Sequence, residues 1–150
     1  MDKGATSNEE KRAVTEGEEY YVVYLGGNPE ISLRGPLCAG ITSTSLEFES
    51  AWFSTYKSQY LEIPLTNLKG ANFSSKRQIS AWSLFFLGLM NAYLFKEKKN
   101  FVVIEYDDQK GQTHNLIFDM WQQDIDDKKK IKFIKNINSS LIEALKKNLI

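Results

Sequence analysis

The chain is poor in the residues that catalytic and metal sites most often use. It contains one cysteine and one histidine among 150 residues. The single cysteine, Cys38, excludes an intrachain disulfide and fits a reducing compartment such as the cytoplasm. Cys38 lies in an apolar, strand-like run, so we expect a buried and unreactive thiol. His114 has no second histidine or cysteine near it in sequence, and we therefore expect a structural role.

The sequence also lacks an excess of either charge and the common catalytic motifs. Basic and acidic residues number 19 each, so nothing predicts a nucleic-acid partner, and any basic patch must be local. No P-loop, GxGxxG, GxSxG or zinc-ligand spacing occurs. The acids at 124–127 lack the central glycine of a calcium loop and lead into a lysine-rich segment, which indicates a helix start. We predict no enzyme, no cofactor, no metal and no evident small-molecule substrate.

No apolar run is long enough to cross a bilayer as a helix. The run AWSLFFLGLMNAYLF at 81–95 contains Ser83, Gly88 and Asn91 and is shorter than the roughly 20 apolar residues that a span needs. The first residues are acidic and have no apolar core of a secretory signal. Two interpretations of 81–95 stay open: an element packed onto the rest of the fold, or an exposed surface that contacts a partner subunit or a bilayer.

Basic residues flank this apolar run on both sides. That arrangement is expected of an element that meets anionic lipid, and it also serves to keep an apolar segment soluble. The candidate contact residues for a protein partner, a second copy or a membrane are Phe85, Phe86, Leu89, Tyr93, Lys76, Arg77, Lys96, Lys98 and Lys99.

The chain divides into an acidic tail and one folded domain. Residues 1–18 contain few apolar side chains and are predicted to be disordered, whereas 19–150 has the composition of a globular domain. Within it, Leu46 and Phe48 alternate with glutamates, the period of a half-buried strand. We predict strands at 19–25, 36–42, 45–50, 59–65, 70–75, 101–106 and 113–118. We predict core positions for Trp52, Trp82 and Trp121.

The last part of the chain has the period of an amphipathic helix. Apolar residues recur at three- and four-residue spacing from Asp126 onward, with lysines between them. The predicted buried stripe comprises Phe133 or Ile134, Ile137, Leu141, Leu145 and Leu149. SLIE at 140–143 has the form of a capping box that would begin a second helix. Because the stripe continues through it, one helix over 124–149 is favoured over two.

The order of these elements resembles the bacterial pleckstrin-homology-like domains of the PH/GRAM superfold. The resemblance lies in YYVVYLGGNPE, GPLCAGITSTSLEFES, LEIPLTNLKGANF and FVVIEYDDQKGQTHNLIF followed by a helix, and covers about 19–148. It implies a mostly β fold: a bent, seven-stranded, partly open barrel capped by one C-terminal helix, without catalytic residues. Lipid-binding members of the wider group use several basic residues in the first hairpin loop. This chain departs from them, since GGNPEISLRG offers only Arg34 beside Glu30.

Such domains serve as binding modules, and the bacterial ones often self-associate. The resemblance therefore implies a non-enzymatic cytoplasmic module that acts through self-association or a protein partner. The alternative is a peripheral membrane adaptor that binds anionic lipid surfaces.

Overall fold

A computed structural model describes residues 19–75, 100–121 and 127–148. Within these ranges seven β-strands precede one α-helix. This confirms the mostly β architecture with a C-terminal helix that the sequence predicts. The elements are β1 (Tyr20–Gly26), β2 (Leu37–Ile41), β3 (Ser45–Ser50), β4 (Tyr60–Pro64), β5 (Leu68–Ser75), β6 (Asn100–Asp107), β7 (Thr113–Met120) and α1 (Lys128–Asn148).

The seven strands form one antiparallel sheet in the order β4-β3-β2-β1-β7-β6-β5. The two edge strands, β4 and β5, are consecutive in the chain and are joined by residues 65–67 alone. The four residue steps from Pro64, the end of β4, to Leu68, the start of β5, span at most about 14 Å. The opposite edges of the sheet are therefore held close together, and the sheet must be open but strongly curved.

Alternate side chains of the strands form the main core on the concave face. Leu37, Ala39 and Ile41 of β2 point there, as do Leu46 and Phe48 of β3. Phe48 stacks on a phenylalanine of β7, Phe118, with 4.5 Å between ring centroids. The predicted alternation of Leu46 and Phe48 in β3 is thus confirmed, because a period of two puts every second side chain on one face.

Helix α1 covers this concave face. Phe133 and Ile137 are fully buried, and Leu141 is nearly so. The helix runs unbroken through SLIE, so one helix is confirmed from 128 to 148. The predicted stripe is wrong at Leu145, which is 53% exposed. Leu145 is eight residues after Ile137, and at 3.6 residues per turn its side chain points about 80° away from the direction of Ile137. It therefore lies off the buried face.

A buried lysine fixes the start of the helix. Nζ of Lys130 lies 3.1 Å from Oδ1 of Asp119 at the end of β7 and 3.3 Å from Oδ1 of Asp127. It also donates to the backbone oxygen of Asn100 at the start of β6, at 2.8 Å. Buried charges persist where ionic and hydrogen-bonding partners offset the loss of water. The cluster joins the helix start to two strands.

Strands β1, β6 and β7 are also buried on their convex face. Leu25, Phe101, Val103 and Ile117 form a second apolar cluster there, with Val23 packed against it. These residues alternate with the concave-facing ones, so the central part of the sheet has two apolar faces. The continuous apolar run FVVI at 101–104 follows from this burial on both sides.

An asparagine of the helix occupies the free edge of β5. Nδ2 of Asn138 donates to the backbone oxygen of Ala71, and Oδ1 accepts from the backbone N–H of Ala71, each at 2.9 Å. Ala71 is 1% exposed. The side-chain amide therefore pairs with the edge strand as a neighbouring strand would, and it fixes the position of the helix along β5.

We expect Asn138→Leu to lower the free energy of unfolding by about 1–3 kcal/mol, because it leaves two buried backbone groups without their partner. Equilibrium urea denaturation followed by circular dichroism measures the change. The control is Ser139→Leu at an exposed position of the same helix, with an expected change within about 0.5 kcal/mol. Equal losses in the two variants would show that the paired amide has no special role.

Candidate functional site

The nine predicted contact residues all fall within 76–99, outside the described residues. Their role stays a prediction. The described part of the chain brings together a different group of aromatic side chains, on the convex face of the sheet. We call Tyr21, Trp52, Phe53 and Trp121 the aromatic surface.

Three separate parts of the chain supply the aromatic surface. Tyr21 belongs to β1, and the backbone N–H of Trp121, just after β7, donates to the backbone oxygen of Tyr21 at 2.8 Å. Trp52 and Phe53 lie in the turn after β3. A hydrogen bond from the N–H of Ser54 to the oxygen of Ala51, at 2.9 Å, closes that turn. Backbone hydrogen bonds therefore fix the aromatic residues on both sides.

Three of the four rings each contact the ring of Phe53. Phe53 lies at the centre, with its ring centroid 5.3 Å from that of Tyr21, 5.3 Å from that of Trp52 and 6.1 Å from that of Trp121. These are tilted or edge-to-face contacts, the favoured geometries of aromatic pairs. Trp52 is 80% exposed and Trp121 is 44% exposed. The surface thus presents a preformed aromatic cluster to solvent.

A row of cross-strand neighbours leads from the aromatic surface to acidic residues. Tyr21 lies opposite Cys38 on β2, Cys38 opposite Glu49 on β3, and Glu49 opposite Tyr60 on β4. Adjacent strands are about 4.8 Å apart, so Glu49 lies about 10 Å from Tyr21. Cys38 is buried as expected, although it belongs to the convex face and not to the main core.

Glutamates dominate the convex face of β3 and β4. We call Glu47, Glu49 and Glu62 the acidic strip. Glu47 and Glu62 are direct cross-strand partners, an arrangement that is unfavourable for two like charges. Glu47 accepts a hydrogen bond from the hydroxyl of Ser45 at 3.0 Å, and Glu62 accepts one from the hydroxyl of Tyr60 at 3.4 Å. Strands β1 to β4 contain no lysine or arginine.

Tyr60 reports the effect of these carboxylates. The pKa of Tyr60 is raised to about 12. Partial burial of the phenol is the largest cause, and the negative charges of Glu47 and Glu62 are the next largest. A phenolate would add a third negative charge beside the two glutamates, so the neutral phenol is favoured. The convex face near β4 therefore has a negative potential.

The outer face of α1 has the opposite charge. Four exposed residues lie on one side of the helix: Lys132, Lys135, Ile142 and Lys146. Successive members of this group are three, seven and four residues apart, and these spacings return to the same side of an α-helix. We call these four residues the basic helix face. Ile131 and Leu145 flank it and are 39% and 53% exposed. Among the described residues, a local basic patch therefore lies on the outer face of the helix.

A polar cluster lies at the far end of β6 and β7. Nε2 of His114 lies 2.7 Å from Oδ2 of Asp108, and Nδ2 of Asn28 donates to the hydroxyl of Tyr106 at 2.9 Å. The pKa of Asp108 is lowered, mainly by its hydrogen bond with His114 and to a smaller extent by hydrogen bonds from backbone N–H groups. The backbone N–H groups of Lys110 and Gln112 donate to the other carboxylate oxygen of Asp108. These contacts hold the hairpin turn, in agreement with a structural role for His114.

The described residues contain no group of three or more histidine, cysteine, aspartate or glutamate side chains placed to hold a metal ion. Among the same residues, no helix has both the length and the apolar character to span a bilayer. Comparison with protein-family models and with curated proteins finds no match to this chain.

The aromatic surface was missed by the sequence interpretation. Trp52 and Trp121 were predicted to lie in the core, and both predictions are wrong; Trp82 lies outside the described residues. A local signal existed for Trp52. Trp52 lies between two alternating strands and is followed by the largely polar segment STYKSQ at 54–59, so its side chain has no strand face on which to be buried.

We expect Glu62→Gln to lower the pKa of Tyr60 toward the ordinary value of 10.0, because it removes one neighbouring negative charge. Tyrosine ring signals followed by NMR over the alkaline range give this titration midpoint. Glu143→Gln, an exposed change on α1, is the control and should leave the midpoint unchanged. An unaltered midpoint in Glu62→Gln would refute the negative potential assigned to this face.

Proposed function

We propose that the chain is a non-enzymatic, pleckstrin-homology-like module of the cytoplasm that binds another protein or a second copy of itself. The curved seven-stranded sheet and the helix on its concave face are compatible with that superfold. The single cysteine, Cys38, is consistent with a reducing compartment. The histidine and aspartate of the polar cluster are engaged in holding a turn, which favours binding over catalysis.

The exposed aromatic surface is the observation that carries this proposal. Four aromatic side chains that meet at Phe53 offer a large apolar area to a partner. Tryptophan and tyrosine are over-represented among the residues that contribute most to protein–protein binding. Because backbone hydrogen bonds already fix Tyr21 and Trp121 relative to each other, ordering these residues on binding costs little conformational entropy.

We expect a photo-crosslinking residue at position 55, an exposed site two residues after Phe53 that leaves the four aromatic rings intact, to form covalent adducts of defined mass with protein in the cells that produce the chain. The physical reason is that a partner seated on the aromatic surface brings its own atoms within reach of that side chain. Denaturing gel electrophoresis and mass spectrometry identify the adducts. The same residue at position 110, an exposed hairpin tip, is the matched control.

Adducts from position 55 and not from position 110 would support the proposal, whether the captured protein is a second copy or another chain. Adducts from neither position, at protein levels where the photo-residue is fully incorporated, would refute it. Adducts restricted to lipid would favour a membrane-binding role.

A peripheral membrane adaptor is the second candidate, and one observation favours it. The basic helix face places three lysines beside exposed isoleucine and leucine side chains, a combination typical of helices that lie on anionic membranes. The apolar run at 81–95, which basic residues flank on both sides, is a second feature of the sequence that favours this candidate.

We expect this adaptor to sediment with vesicles of phosphatidylcholine and phosphatidylserine, and not with phosphatidylcholine alone. Binding should decrease as salt rises, because screening weakens attraction between lysines and anionic lipid. Lys135→Glu with Lys146→Glu should abolish it, whereas Lys69→Glu with Lys110→Glu, at exposed positions on β5 and in the turn between β6 and β7, should reduce it less. Absence of sedimentation at low salt would eliminate the candidate.

A further inference from the structure

An exposed carboxylate lies at the border of the aromatic surface. Oε2 of Glu19, the residue before β1, accepts a hydrogen bond from the hydroxyl of Tyr21 at 3.3 Å. The pKa of Tyr21 is raised, chiefly by partial burial of the phenol and then by the charges of Cys38 and Glu19, while a hydrogen bond with the side chain of Trp52 opposes the rise. The carboxylate of Glu19 and the indole of Trp52 therefore both lie next to one phenol oxygen.

This carboxylate can accept further hydrogen bonds. Two carboxylate oxygens offer about four acceptor positions, and the contact with Tyr21 uses one of them at a distance that is long for an O–H donor. Glu19 is exposed, and strands β1 to β4 contain no lysine or arginine. A cationic group that arrives on a partner therefore finds an acceptor for which no basic side chain of these strands competes.

The rings beside Glu19 also favour a positive charge. The face of an aromatic ring is the negative part of its quadrupole, and the indole of tryptophan attracts cations most strongly. Trp52 is 80% exposed, so most of its ring surface is open to a ligand. The planes of Trp52 and Phe53 meet at 85°. The aromatic surface thus offers a cation an open indole face with a carboxylate close by.

The contacts among the rings decide which kind of cation fits. The ring centroids of Tyr21 and Trp52 each lie 5.3 Å from that of Phe53, so each of these pairs is in contact and leaves no space between its rings to enclose a rounded ammonium group. A planar guanidinium instead stacks on one open ring face and directs its N–H donors outward, where a carboxylate can accept two of them. Trp52 supplies such a face, and Glu19 supplies the carboxylate.

We propose that the aromatic surface binds an arginine side chain of a partner protein, which stacks on Trp52 and donates to the carboxylate of Glu19. This inference rests on the proposed binding function and names the chemistry that the partner presents. A guanidinium is more weakly hydrated than an ammonium group, so it loses less on leaving water. Arginine is also among the residues that contribute most to protein–protein binding.

Lys57 is a cation of the chain itself at this border. Its Nζ donates to the backbone oxygen of Trp52 at 2.8 Å. The charge of Lys57 opposes the arrival of a second positive group, so binding of arginine should become tighter when that charge is removed. Lys57→Gln keeps an N–H donor and removes the charge. A gain in affinity is a result that damage to the fold would not produce.

The test titrates the isotope-labelled full chain with N-acetylarginine methylamide and follows the tryptophan indole N–H signals by NMR. N-acetylcitrulline methylamide is the matched probe, because it has nearly the same shape and no charge. We expect the signal of Trp52 to shift to saturation with the arginine probe. The affinity for the citrulline probe should be about 3–30-fold lower, because that probe lacks both the cation–π and the ionic contact.

Three variants locate the arginine on the surface. Glu19→Gln should weaken binding of the arginine probe about 1.5–5-fold, the range of an exposed ion pair, and Lys57→Gln should strengthen it up to about 2-fold. Glu30→Gln, an exposed change in the turn after β1, is the control and should leave the affinity unchanged. The remaining signals of the same spectra show whether each variant is folded.

Three results would each overturn the arginine site. The first is equal affinity for the arginine and citrulline probes, which would mean that the surface recognises apolar area alone. The second is an arginine titration that leaves the signal of Trp52 in place. The third is a loss of affinity in folded Glu19→Gln that is no larger than the loss in Glu30→Gln.

These outcomes are distinguishable from failure of the proposed function. If position 55 captures a partner protein while the two probes bind alike, the binding function stands and the arginine site does not. If position 55 captures nothing, both are refuted.

Discussion

The structure depends on the contact between helix α1 and the concave face of the curved sheet. An antiparallel sheet with edges as close as β4 and β5 encloses one strongly apolar face, and that face must be covered. Phe133, Ile137 and Leu141 cover it. Two polar contacts give the helix its position: Lys130 at its first turn and Asn138 at the edge of β5. Apolar burial drives the contact, and these polar groups specify its register.

This arrangement also determines which surfaces remain for binding. Once the apolar side of α1 is turned to the sheet, its lysines other than the buried Lys130 face away from the core. In the same way, inward packing of Leu46 and Phe48 forces Glu47 and Glu49 onto the convex face, because neighbouring residues of a strand point to opposite sides. A positive helix face and a negative sheet face are therefore consequences of how the core is built, and they give a neutral chain two oppositely charged surfaces.

The strands and the helix were predictable because local periodicity carries most of the relevant information. Leu37, Ala39 and Ile41 alternate with smaller or polar residues, and the spacing around Ile137 is helical; both patterns correspond to faces found buried. Prediction failed where burial depends on contacts distant in sequence. Leu145 continues the apolar stripe yet lies beside the covered face, and Trp52 and Trp121, which were predicted to lie in the core, are substantially exposed.

The sequence by itself determined the types and order of the elements, the face of β3 that would be buried, and the scarcity of cysteine and histidine. These properties follow from side-chain period and composition, which are local. Only the tertiary structure decided that Tyr21, Phe53 and Trp121 would meet, and that the acidic strip would continue their surface. That meeting depends on β1 pairing with both β2 and β7, and the pairing of strands far apart in the chain is set by the whole sheet.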